Sequence, residues 1–470
     1  THNLHNGINA NPSGGQLPAV IAPEYKNGKY ETEDAYKNRL KSDFTRSVQT
    51  LVNHIGKKPR VMVWPYGQFN DVAVQLARQA GMPHYFSLGE KIINKVGDKH
   101  IGRLLLNAET DLNTVKNYLD GIDESKQIQR VLHVDLDYVY DADKAQQAKN
   151  LDKLIDRIYR YGVTTVYLQA FSDPDGDGVA DALYFPNKYL PVRDDIFGRI
   201  AWQLQTRAGV KVYAWMPVLA FDLRKSVKEA EYVIDSRTGK PSTKAYLRLS
   251  PYNKQNVEII KSIYNDLSFY AKFNGILFHD DAFLTDFEGA EGDHAEGMVS
   301  PQAKQKTQDL IQLTHQLTDA LKPYFLRGSY SLKTARNLYA SVITNPNAEE
   351  WLAQNLKTLT NNYDTTAIMA MPYMENEQPI SQEEAYQWFA SLIENVKAQA
   401  PLDKVLFEFQ AVNWRTQKPI PESELIDWMK LLQKNHIYSY GYYPDNFLTN
   451  QPDLNKMKPY FSVNTNVGKP

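Results

Sequence analysis

Residues 273–288 read FNGILFHDDAFLTDFE, a short oily run, Gly275 to Phe278, that turns acidic at His279, Asp280 and Asp281 and stays so through Asp286 and Glu288. An apolar run of this length predicts a strand, and the onset of charge marks its end. A strand apolar along its whole length has no solvent face, as in parallel sheets covered by helices on both sides.

Outward from this stretch the same pattern recurs. Predicted strands are Val131–Tyr138, Val163–Phe171, Val210–Pro217, Gly275–Asp280, Tyr330–Arg336, Thr366–Met371, Lys404–Gln410 and Ile437–Tyr442. Between them lie segments of helical periodicity, among them Ala145–Tyr161, Asn256–Phe273, Gln302–Lys322 and Gln382–Ala398. Eight strands alternating with seven helices predict an α/β fold, a (β/α)8 TIM-type barrel; the alternative, an open doubly wound sheet, suits eight repeats in one domain less well. Residues 1–125 differ in texture: a loop-rich start, a helix near Asp34–Ile55, a strand at Arg60–Trp64, a helix near Asp71–Ala80 and a strand near His84–Leu88. That is too little for a second barrel. The boundary is expected in the polar connection 121–125, giving domains 1–125 and 126–470.

In barrels of this kind chemistry sits at the carboxyl ends of the strands. Those ends carry Asp135, Asp137, Gln169, Asp173, Trp215, His279, Asp280, Asp281, Asp286, Tyr373, Glu375, Glu408, Trp414, Tyr442 and Tyr443. Carboxylates interleaved with flat rings suit a saccharide, the rings stacking on sugar faces and the acids taking hydrogen bonds and protons. The Asp280–Asp281 pair is the centre of this reading. Adjacent side chains on a strand face opposite ways, so one acid is expected to act and the other to support it; neighbouring like charges would keep one protonated as a general acid for glycoside cleavage. The plainer alternative is a solvated, capped strand end.

Asp173–Asp181 (DPDGDGVAD) resembles half of a calcium loop, but the twelfth position, where a bidentate Glu belongs, is Tyr184. An Asp/Gly turn accounts for it equally well. His2 and His5, three apart, are a weak metal signal.

Composition sets outer limits. The 470 residues are 42% hydrophobic and 23% charged, and a formal charge of −2 gives no footprint for nucleic acid. No apolar run is long enough to span a membrane, and there is no cysteine for disulfides or thiolate chemistry. Aromatic residues make up 12%, an excess that fits carbohydrate. The start, THNLH, has neither an initiator Met nor a signal-peptide pattern, so the chain is expected to be a mature or trimmed form.

HVDLDYVYD (133–141), VYLQAFSDPDGDG (166–178), YAWMPVL (213–219), GILFHDDAFLTDFE (275–288), AIMAMPYME (367–375) and YGYYPDNFL (440–448) resemble the C-terminal half of the periplasmic poly-β-1,6-N-acetyl-D-glucosamine N-deacetylases. THNLHNGINANPSG (1–14) and RVMVWPYG (60–67) resemble the end of their esterase domain. The resemblance implies a partial carbohydrate-esterase (polysaccharide deacetylase) domain ahead of a barrel that binds, and in some members hydrolyses, the partly deacetylated polymer. It implies Asp280 and Asp281 as catalytic in the barrel and Tyr66 at the esterase oxyanion site. His279, Asp286, Tyr246, Trp351, Glu408, Trp414, Tyr442 and Asp137 are the implied substrate-binding set, with Tyr246, Trp351 and Trp414 as stacking platforms. His5 is the implied ligand of a divalent metal of zinc, nickel or iron type; the barrel needs no cofactor. A first metal histidine would fall before Thr1, and the family's Asp-Asp motif is absent, so this stretch alone is not expected to assemble a competent deacetylase. Implied partners are poly-β-1,6-N-acetyl-D-glucosamine, its deacetylated form and an outer-membrane exporter, in a periplasmic setting tethered to the outer membrane. A non-catalytic module guiding polymer to that exporter is the alternative, and a lectin-like barrel for another glycan a third.

Overall fold

The computed structural model describes residues 2–88, 93–108, 110, 112, 115–116, 128–242, 245–288, 299–328 and 331–463. The expected boundary, 121–125, lies outside them. The chain sorts into two compact units: Thr1–Gln127 with Tyr264–Asn274 and Asp319–Leu332, and Ile128–Ile263 with Gly275–Thr318 and Lys333–Pro470.

In the first unit a three-stranded parallel sheet, β1 (Val61–Val63), β2 (His84–Leu88) and β3 (His100–Arg103), packs with helices α1 (Glu33–Ile55) and α2 (Asp71–Gln79). The Thr32 side chain caps α1 by accepting the Ala35 N–H, and Gly56, at φ 64°, ends it in the left-handed conformation that glycine adopts without strain. Tyr36, Leu40 and Phe44 on one stripe of α1 meet Trp64, Phe69 and Tyr85 in a continuous apolar core that also takes in Phe269 and Tyr324.

The second unit is a closed parallel barrel of eight strands: β4 (Arg130–Val134), β5 (Thr165–Gln169), β6 (Lys211–Met216), β7 (Gly275–Phe278), β8 (Lys333–Tyr339), β9 (Thr365–Met369), β10 (Val405–Gln410) and β11 (Tyr440–Tyr443). Each strand pairs with its sequence neighbour, and β11 closes on β4 through Gly441 opposite Val131 and Tyr442 opposite Leu132. Helices such as α3 (Lys144–Tyr161), α4 (Gln382–Gln399) and α5 (Glu422–Lys434) intervene between strands. Gly275 is required where it stands: a Cβ there would lie 2.8 Å from the Tyr213 ring and 2.7 Å from the Lys333 carbonyl oxygen.

Two strand limits are corrected. The first strand stops at Val134, and Leu136–Val139 is a short helix. The fifth runs over Lys333–Tyr339, three residues later than the apolar pattern places it. Its polar residues pass for a strand end but are buried with partners: Arg336 donates to the Tyr363 hydroxyl at 2.7 Å and the Ala282 carbonyl at 2.8 Å. Residue 330 of the expected strand lies outside the described residues.

Candidate active site

β7 ends at Phe278, and Asp280 and Asp281 stand in the turn that follows it, where their side chains meet different partners. Asp280 receives the hydroxyls of Tyr246 (2.9 Å) and Tyr339 (2.9 Å), and its Oδ1 lies 3.0 Å from His279 Nδ1. Burial would raise its pKa, but the His279 imidazole and these hydroxyls outweigh burial and hold it below the ordinary value. For His279 burial pulls down, and the Asp280 carboxylate prevails and lifts it. The same His279 Nδ1 lies 2.9 Å from Trp215 Nε1. An indole N–H only donates, so a protonated Nδ1 serves Asp280 and an unprotonated one serves Trp215; the charge on Asp280 favours the first.

Asp281 is fully buried and accepts backbone N–H groups of Val218 (3.0 Å), Leu219 (2.6 Å) and Ala220 (2.6 Å). The expectation of a catalytic Asp281 is therefore corrected: its oxygens are spent on the N–H groups of the loop after β6, and burial pushes its pKa up. Tyr442 is corrected too. Along β11 it faces outward into the helix layer, fully buried, with its hydroxyl 2.7 Å from Asp445 Oδ1 and 3.2 Å from the Tyr161 hydroxyl. Its neighbour Tyr443 takes the inward parity, its ring 5.5 Å from Trp215 and 6.2 Å from Trp414.

The remaining expected residues divide. Tyr246 sits on Asp280, with its ring 5.7 Å from His279. It is held from below by Gly178, at φ 79°, where a Cβ would fall 2.0 Å from a Tyr246 ring carbon. Half-buried Trp414 packs on Tyr443, whereas Trp351, on the short helix Glu349–Leu352, is 40% exposed. Asp286 is half-buried, and its charge acts on Lys306 and Arg237. Asp137 is taken up by Arg193 Nη1 (2.5 Å), the Tyr184 hydroxyl (2.6 Å) and the Asp173 N–H (3.1 Å), so it fixes the loop after β5. Glu408 is buried inside the barrel between His133 and Asn337.

The sequence places Asp135 on the acidic rim without a role of its own, and singles out neither Tyr339 nor His133. Tyr339 was hidden by the misplaced fifth strand. Asp135 follows β4, buried, and burial together with the Asp137 charge pushes its pKa up to about 7, partly offset by the Tyr443 hydroxyl. Glu375 also rises to about 7 through burial, but its carboxylate accepts the Ala340 (2.9 Å) and Ser341 (3.1 Å) N–H groups and is structural. Strand parity, applied from the true strand limits, is the signal that finds Tyr339 and His133.

In the first unit Tyr66 holds φ 52°, a strained value for a non-glycine residue, and is 76% exposed. Among the described residues the one group of three or more potential metal ligands is Asp173, Asp175 and Asp177; His5 belongs to none. The described residues therefore do not fit a complete divalent-metal site for deacetylation. In the acidic group Asp173 already accepts the Asp177 and Gly178 N–H groups, at 3.1 and 3.0 Å, which is the turn reading of that loop.

Residues 133–443 match the family model described as Hypothetical glycosyl hydrolase family 13, and residues 27–85 match Polysaccharide deacetylase. The poly-beta-1,6-N-acetyl-D-glucosamine N-deacetylase of Escherichia coli K12 is 38% identical over 489 aligned positions, covering 98% of this chain and 72% of that protein. A protein of the same name from Staphylococcus aureus MSSA476 is 28% identical over 100 residues, 21% of this chain and 34% of that one. Among solved structures, the glycoside hydrolase domain of PgaB (BpsB) from Bordetella bronchiseptica superposes with a TM-score of 0.65 at 39% identity, covering 72% of this chain and 100% of that domain.

Proposed function

Since the chain belongs to the poly-β-1,6-N-acetyl-D-glucosamine N-deacetylase family and is a hydrolase, we propose that its barrel binds and cleaves the partly deacetylated poly-β-1,6-N-acetyl-D-glucosamine chain. The observation that carries this is Asp280: an ionised, buried carboxylate gripped by His279, Tyr246 and Tyr339 at the strand ends where a barrel does its chemistry. Such a group stabilises the positive charge that grows on the anomeric carbon as the glycosidic bond stretches. The complementary proton donor is Asp135, which burial and Asp137 keep protonated up to about pH 7. Its proton goes to the leaving oxygen as the C1–O bond breaks; water supplies the hydroxyl to C1, and the proton that the water gives up restores Asp135 to its acid form. Deacetylation leaves ammonium groups on the polymer, and an anionic Asp280 favours such units nearby.

Deacetylation itself uses a divalent metal in this family; with no complete ligand set among the described residues, no step is assigned to it. By the same family reading the chain works in the periplasm, delivering polymer to an outer-membrane exporter, and co-purification with that exporter tests it.

The deciding experiment incubates the chain with partly deacetylated β-1,6 oligomers and follows their length by mass spectrometry. Shortening that Asp280→Asn abolishes supports cleavage. Binding with unchanged length leaves only the polymer-guiding module, and equal affinity for unrelated β-glucans overturns the substrate.

A further inference from the structure

Inside the barrel, one layer below Asp135 on β4, His133 is 4% exposed. Its Nε2 lies 2.8 Å from Glu408 Oε1, and the other Glu408 oxygen accepts Asn337 Nδ2 at 2.7 Å. A carboxylate that accepts from Nε2 fixes the ring with its proton there. Nδ1, on the edge of the ring turned away from Glu408, has no hydrogen-bond partner among the described residues, and neither does the hydroxyl of Tyr167, the residue opposite His133 on β5. Leaving such groups buried and unmet is costly, because each has given up its hydrogen bonds to water. The rings around His133 are those of the cleft: Trp215 at 5.1 Å, nearly perpendicular, and Tyr443 at 5.6 Å. Trp215 in turn contacts His279 beside Asp280.

We propose that His133 is a sugar-contacting residue: with Nε2 tied to Glu408, its Nδ1 bonds a ring hydroxyl of the hexosamine unit seated against Trp215 and Tyr443. The proposal rests on the barrel holding a β-1,6-linked chain. In such a chain the linkage consumes C1 and C6, so every unit keeps its hydroxyls at C3 and C4. A β-1,4 chain has lost the C4 hydroxyl at every internal unit. A buried acceptor that requires a ring hydroxyl makes His133 a determinant of affinity, and of linkage where the bonded group is the C4 hydroxyl, because a chain lacking that group leaves the nitrogen buried and unmet.

The test measures binding of the full chain to a partly deacetylated β-1,6 glucosamine oligomer and to its 3-deoxy and 4-deoxy analogues by calorimetry. Wild type is expected to lose about tenfold or more in affinity for one of the two analogues, an arm that needs no variant. His133→Phe, checked for folding by its circular dichroism and melt, is expected to bind parent and analogues alike, and Glu408→Gln to narrow the difference. Equal wild-type affinity for all three oligomers overturns the proposal, as does a His133→Phe protein that still discriminates. A wild-type chain that does not bind the parent oligomer overturns the functional reading and this proposal together, so the two failures are told apart.

Discussion

At the scale of single residues, Asp280 and Asp281 are adjacent in sequence and opposite in consequence. Asp280→Asn is expected to lower the cleavage rate about 100-fold or more, with little change in melting temperature, since an oriented charge is lost but its shape is kept. Asp281→Asn is expected to cost about 2–3 kcal/mol of stability, because an amide cannot accept from the Val218, Leu219 and Ala220 N–H groups as a carboxylate does; chemical denaturation of both variants separates the two. Asp135 must hold its proton and Asp280 must be without one. Asp280 meets its condition from below the ordinary carboxylate pKa upward, and Asp135 fails it as pH rises through about 7. Cleavage is therefore expected to fall above neutrality, and in Asp135→Asn to be both low and flat across that limb; a profile that rises through pH 8 would remove Asp135 as donor.

At the scale of strands and loops, the barrel was legible because its strands are short oily runs, and where that signal failed it failed for a stated reason. β8 carries Lys333, Arg336 and Asn337, whose polarity is answered by Asp364 and Tyr363 just ahead of β9 and by Glu408 of β10, a pairing no local pattern reveals. Facing was the other gap. A run such as YGYY shows where a strand ends but not its parity, so Tyr442 and Tyr443 exchange roles in the structure. Tyr443→Phe is expected to alter oligomer affinity and the Asp135 limb of the pH profile, and Tyr442→Phe to lower only stability, by about 1 kcal/mol. Gly178 links the acidic turn to the cleft. Gly178→Ala meets both a positive φ and the Tyr246 ring, so it is expected to raise KM by displacing Tyr246 from Asp280; unchanged kinetics would show that the turn does not support the site.

At the scale of the whole molecule the two units answer pH in opposite senses. In the first, Lys272 is buried and donates to the Ser268 carbonyl at 2.8 Å, and burial lowers its pKa to about 7. Its folded pKa is depressed, so stability is gained as pH climbs from about 7 toward the ordinary lysine value. In the second, Asp135 and Glu375 have folded pKa values raised to about 7, so the stability tied to their protons is lost as pH rises from the ordinary carboxylate range through 7. Scanning calorimetry is expected to show the unfolding of residues 128–263, 275–318 and 333–463 moving down as pH rises to about 7, and that of the first unit moving up from about 7 onward, with Lys272→Met flattening the latter. Both trends are invisible in composition, because each depends on burial that only the fold creates. The joining of β11 to β4 has a last consequence. A ring of strands has no outermost member, so every backbone amide of the ladder is already answered and none is offered to another chain. The three-stranded sheet of the other unit lacks that protection: β1 and β3 are its edges, and β1 is the more exposed, with Val61 and Val63 in solvent at 43% and 49%. Fibril-like self-association at high concentration, and the earliest deuterium uptake among the strands, should accordingly start at Val61–Val63 and spare the ring.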